Sequence, residues 1–287
     1  MKRFLPILVL VCATAAHAWE RPQSAAPPTS ENAVPAAATP AVPVDQENAR
    51  KAKALIDQAI HALGGQAYLT IRDRELTGRL FGFHHGQSTG NGTEFWSFSE
   101  FPDKERIELT KQRDIAELYI GTKGYEITYK GPKPSEPKDL DDYLRRRRFS
   151  LETILRTWVP DPAVAMLYVG NANAAQHPSL RVTLINAKNE AVTLDFDIDT
   201  HLPVRKSFEW RDPVDRQKNL EEEIYDNYRL VQGVMTPYNV TGYFNGDMSR
   251  SRYIFTAGYN SGLDRAMFDP NSGYDPNRQA GKQTKKR

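Results

Sequence analysis

Apolar and polar residues alternate with period two over 73–130 and again over 164–258, which commits most of this chain to β-sheet. In the clearest run, Val192, Leu194, Phe196 and Ile198 alternate with Thr193, Asp195 and Asp197, as in a strand with one face buried. The first stretch predicts five strands, at 74–84, 93–101, 104–110, 113–120 and 123–130. The second predicts seven, at 164–169, 180–186, 190–198, 203–211, 219–231, 234–245 and 249–258. Gly, Asn, Pro or Asp separates them, and such short connections make neighbours antiparallel. Asp212-Pro213 and Gln232-Gly233 mark tight turns, and residues 85–92 read as a hairpin tip.

Two helical segments interrupt this pattern. Ala52, Leu55, Ile56, Ala59, Ile60 and Leu63 recur at spacings of three and four, one stripe of an amphipathic helix over 47–63. Asp45 is the expected cap, and Gly64-Gly65 supplies a left-handed exit. After a proline-rich break at 131–138, a helical insert is expected over 139–158, with Ser150 capping a short helix that carries Leu151, Ile154, Leu155 and Trp158. The expectation is one α+β domain over 47–270, built on a large, strongly curved antiparallel sheet of about 11–12 strands. An apolar sheet face must be covered by helices, closed into a barrel, or left as a groove for a ligand.

The ends carry a different message. Lys2 and Arg3 precede an apolar run over 4–16, and Ala16-His17-Ala18 is a small-x-small site, so residues 1–18 read as a cleavable secretory signal. A lipoprotein signal at Cys12 is the rival reading, but Val11 stands where a small residue is needed. An exported, periplasmic protein is therefore expected. Residues 19–46, rich in Pro and Ala, read as a disordered tether, and residues 271–287 as a disordered basic tail. The whole chain has 38 basic and 36 acidic residues; removing Lys2 and Arg3 leaves 36 of each. That balance argues against nucleic acid as a partner. Cys12, the one cysteine, leaves with the signal, so no disulfide is expected.

Motifs for catalysis are weak. Gly86-Gln87-Ser88-Thr89-Gly90 matches a nucleophile elbow in letters, but strands flank it on both sides where a helix should follow. His84 and His85 are adjacent on a strand and point to opposite faces, which opposes a shared metal. Glu221-Glu222-Glu223 and Asp195/Asp197/Asp199 read as solvated faces. Arg145–Arg148 reads either as the solvated side of a helix or as a contact for anionic headgroups. No catalytic residue, metal or cofactor is expected, and the chain reads as a non-enzyme.

The aromatics are more informative. By parity Trp96 and Phe98 share a strand face, as do Tyr125 and Ile127, Leu194 and Phe196, and Phe208 and Trp210, while Leu155 and Trp158 lie on the insert. These ten residues are the expected walls of a hydrophobic groove, with residues 139–158 as its lid. The later strands also carry Asp197-x-Asp199-Thr200-x-Leu202-Pro203-Val204 and Tyr225-x-x-Tyr228-x-x-Val231-x-Gly233-Val234-x-x-Pro237, and the domain stops at Phe268-x-Pro270. With the helix ending in Leu63-Gly64-Gly65, this layout resembles the periplasmic lipoprotein-carrier superfamily, which includes the outer-membrane lipoprotein-sorting carrier and the sigma-factor regulatory sensor domain. The resemblance implies an unclosed β-barrel, lidded by helices, that holds acyl chains. The implied function is a monomeric carrier for a lipid or a lipidated protein, extending to outer-membrane lipoprotein sorting. The alternative is an envelope sensor or protein-interaction module whose groove is filled by its own side chains. Partners at the membrane surface or among envelope proteins are expected under either reading.

Overall fold

The period-two pattern produces the sheet it predicts. The computed structural model describes residues 44–275, so the expected signal, the tether before residue 44 and the tail beyond residue 275 lie outside the described residues. The first meander comprises β1 (Asp73–His84), β2 (Gln87–Ser88), β3 (Thr93–Glu100), β4 (Lys104–Leu109), β5 (Ile115–Ile120), β6 (Lys123–Thr128) and β7 (Gly131–Pro134). The second comprises β8 (Ala165–Ala174), β9 (His177–Ile185), β10 (Ala191–Asp197), β11 (Pro203–Arg211), β12 (Lys218–Val231), β13 (Val234–Phe244) and β14 (Asp247–Tyr259). Every pairing is antiparallel, in the order β7-β6-β5-β4-β3-β1-β14-β13-β12-β11-β10-β9-β8, with the short β2 paired to β1. The end strands β7 and β8 do not pair, so the barrel is unclosed. The fold is α+β, with 14 strands among the described residues.

Two strands exceed the expected count. β7 falls in the proline-rich break, and Pro132 and Pro134 are tolerated there because β7 is an edge strand that needs donors on one side only. β2 forms in the hairpin tip. β8 and β9 are longer than expected because Ala175 and Gln176 both take positive φ (51° and 67°), closing a two-residue turn without the usual glycine.

The helix α1 (Val44–Leu63) starts three residues before the expected boundary, so Asp45 stands in its first turn rather than before it. Gly64 has φ of 125°, and a Cβ there would lie 2.2 Å from the Gly233 carbonyl oxygen. The helix exit is thus pressed onto the β12–β13 turn. Gly64→Ala is expected to destabilise the fold by about 1–3 kcal/mol through backbone strain, read as a lower urea midpoint.

The insert is three pieces: α3 (Pro137–Arg148), α4 (Leu151–Thr153) and a π-helical turn at Ile154–Trp158. Ser150 caps as expected, its Oγ accepting from the Thr153 amide at 3.2 Å. Leu151, Ile154, Leu155 and Trp158 join the α1 stripe and the inward residues Val182, Leu184, Val192, Leu194, Phe196 and Phe208 in one core. Each large apolar side chain buried there contributes about 1.5–3 kcal/mol.

The other face of β3–β6 has its own core. Leu118, Met267 and Phe268 bury one another with Phe98, Ile120, Tyr125, Ile127 and Tyr274. The start of the expected disordered tail is therefore packed down: Tyr274 lies under the Arg106 guanidinium at 4.9 Å. Below this cover, Arg106 and Arg113 bond Glu108, which is fully buried, at 2.7 and 2.5 Å.

Candidate functional site

The helices fill only part of the concave face. On the β1, β3, β4 and β14 side a cavity of about 440 Å³ remains. Its apolar wall is Leu76, Leu80, Phe95, Ile107, Leu109 and Ile254, all set inward by strand alternation. α3 forms the rim opposite: Tyr143 stacks on Tyr119 of β5, with centroids 3.5 Å apart and planes 5° from parallel. The Tyr143 hydroxyl donates to Glu105 at 2.9 Å, and Ser97 donates to the other Glu105 oxygen at 2.9 Å.

The remaining wall is charged. Glu223 on β12 accepts from the Lys206 ammonium at 2.7 Å, the Tyr225 hydroxyl at 2.9 Å and the Arg250 guanidinium at 2.7 Å. Arg74 bonds Glu152 of α4. Burial pushes both the Glu223 and Glu152 carboxyls up, but Lys206 and Arg250 around Glu223, and Arg74 at Glu152, more than offset it. Glu223 is held well below the usual carboxylate range and Glu152 below it. Burial also drives the Tyr119, Tyr143 and Tyr225 hydroxyls far above the ordinary tyrosine value, so all three act as neutral donors. Seven cationic side chains and four carboxylates line this cavity.

None of the ten residues expected to wall a groove lines this cavity. Leu155, Trp158, Leu194, Phe196 and Phe208 belong to the core packed with α1 and the insert. Phe98, Tyr125 and Ile127 lie on the opposite sheet face, under Met267 and Phe268. Trp96 shares that face with Phe98, the Arg113 guanidinium lying 5.2 Å from its ring. Trp210 is stacked by the Arg145 guanidinium at 3.5 Å, beside the core. The inward residues of β3 are the other parity set, Phe95, Ser97 and Ser99.

The readings of the charged runs change. Asp195 and Glu221 are not solvated: Asp195 is fully buried between Arg181 and Arg205, and Glu221 pairs with Arg145. The arginine run is largely used within the fold. Arg145 also pairs Asp142, Arg147 donates to the Asp103 and Gly121 carbonyls, Arg148 pairs Glu190, and Arg146 lines the cavity. The Ser88 hydroxyl donates to the Gly90 carbonyl at 2.7 Å. Among the described residues no group of three His, Cys, Asp or Glu is placed to hold a metal, and no helix is long and apolar enough to cross a membrane.

An unclosed antiparallel barrel, with an N-terminal helix and a helical insert on its concave side and a cavity left beside them, is the fold of the lipoprotein-carrier superfamily, and this chain has that fold. Among solved structures it is similar to a DUF1329-family protein from Desulfovibrio piger, with a TM-score of 0.54 and 14% identity, over 76% of this chain and 97% of the other. It is also similar to a putative outer membrane lipoprotein-sorting protein domain from Vibrio parahaemolyticus, with a TM-score of 0.52 and 13% identity, over 78% of this chain and 98% of the other. At these identities the likeness is one of fold. No family model matches the chain, and no curated protein matches it in sequence.

Proposed function

We propose that this chain is an envelope binding or carrier protein that holds an acyl chain, from a lipid or a lipidated protein, in the cavity between β1, β3, β4, β14 and the insert. The observation that carries this reading is the 440 Å³ of space left beside an apolar wall that the molecule's own helices do not fill. That volume lies within the roughly 300–1,000 Å³ range of small-molecule pockets. The superfamily fold supports the same reading, and the apparent secretory signal supports a periplasmic site of action. This reading gives the charged groups of the wall no catalytic part: Lys206 and Arg250 bond Glu223, and Arg74 bonds Glu152. The ten residues first expected to bind become supports of the barrel in this proposal, and the ligand walls are Leu76, Leu80, Phe95, Ile107, Leu109 and Ile254.

Protein isolated without detergent is expected to carry a lipid adduct in native mass spectrometry. Ile107→Trp, which fills the cavity, should remove the adduct and weaken binding of a fluorescent acyl probe at least tenfold, with unchanged circular dichroism. A wild-type protein that carries no adduct and binds no probe would sink the proposal. A stable envelope-protein partner recovered with that empty protein would support the sensor reading in its place.

A further inference from the structure

The cavity changes character along one strand. On β14, Arg250, Arg252 and Ile254 all line it. Arg250 belongs to the Glu223 cluster, and Ile254 to the apolar cluster with Leu76, Phe95 and Tyr238. Arg252 stands between them, flanked in the sheet by Leu80 of β1 and Val240 of β13. A charged head and an apolar tail could thus lie along neighbouring residues of a single wall.

Arg252 is also one of the cations on this wall that no carboxylate bonds among the described residues, with Arg146 and with Arg147, which donates to two carbonyls. Both Glu223 oxygens are taken, by Lys206 and Tyr225 on one side and Arg250 on the other. Glu105 accepts from Ser97 and Tyr143, and Glu152 from Arg74. The Arg252 Nε is buried without a hydrogen-bond partner. Burial disfavours its charged form and lowers its pKa, with Glu223 and Glu105 pulling the other way. Arg252 is half-buried, and leaving its buried Nε without an acceptor is costly; its planar fork matches an acidic oxygen pair. Even with Lys104 paired to Glu100 outside the cavity, cations outnumber carboxylates on the wall.

We propose that Arg252 binds the monoanionic head of an amphiphile, a carboxylate or a phosphate ester, whose acyl tail lies against Ile254, Leu76 and Phe95. This rests on the acyl-binding reading above and specifies its ligand class. It assigns Arg252 a role in selecting acids over neutral lipids.

The test is displacement of the neutral probe N-phenyl-1-naphthylamine from the full chain by palmitate, hexadecanol or a lysophosphatidylglycerol. Wild-type protein should prefer at least one of the two acids to the alcohol by tenfold or more. Arg252→Met should abolish that preference while changing hexadecanol affinity less than twofold, and Arg252→Lys should keep part of it. Arg252→Gln is a second charge-removing variant should the Met form fold poorly. Preference for palmitate identifies a carboxylate head, and preference for the lysophospholipid a phosphate head. Equal displacement by acids and alcohol, or a preference untouched in Arg252→Met, would overturn the assignment and leave acyl binding standing. A wild-type protein that binds neither the probe nor any of the three would overturn both.

Discussion

Glu223→Ala should lower unfolding stability at neutral pH by about 3 kcal/mol, the low end of the cost of breaking a buried charge cluster, since the cavity admits water. The variant leaves Lys206, which is 2% exposed, without its carboxylate, and removes the anion that Arg250 and Tyr225 also bond. The effect has a pH signature. The folded Glu223 carboxyl titrates well below its ordinary value of 4.5, so its contribution is complete above that value. It is lost as pH falls from there through the depressed folded value. Urea midpoints of wild type and variant should therefore differ most at neutral pH and converge in acid. A difference under 1 kcal/mol at pH 7 would mean that water, rather than Glu223, satisfies the cations.

Phe196→Ala should cost about 3–5 kcal/mol and lower Tm by roughly 10 °C. Phe196 is fully buried near the end of β10, in the core shared by α1 and the insert, so truncation leaves a void that the sheet cannot close around. Phe255→Ala is the control: this residue is 55% exposed on β14, and its loss should stay within about 0.5 kcal/mol. Comparable losses from both would show that the α1 core does not hold the barrel.

Strand alternation and the α1 stripe were legible because each depends on local spacing. The runs at 93–101 and 190–198 became β3 and β10 with shifts of one residue. The side of the sheet that became the pocket was harder to read. β3 has two apolar-capable faces, Phe95 against Trp96 and Phe98, and bulk alone points the second set inward. What decided the matter was a segment more than 150 residues away: Met267, Phe268 and Tyr274 cover Phe98. The β4 pattern did hold usable information, since Ile107 and Leu109 alternate with Arg106 and Glu108. The charged wall had no local signal. Glu223 looks solvated on β12, and only the register of β11 to β14 brings Lys206 and Arg250 to it.

The order of strands has a consequence for how the molecule is assembled. β1 pairs with β14, so the first and last long strands meet in the middle of the sheet rather than at its margins. Each meander can zip locally, but the seam between them forms only with β14. Such sequence-distant closure slows folding and keeps the two halves apart until residues 247–259 are available. A fragment that lacks β14 would have no complete cavity, since Arg250, Arg252 and Ile254 form part of its wall.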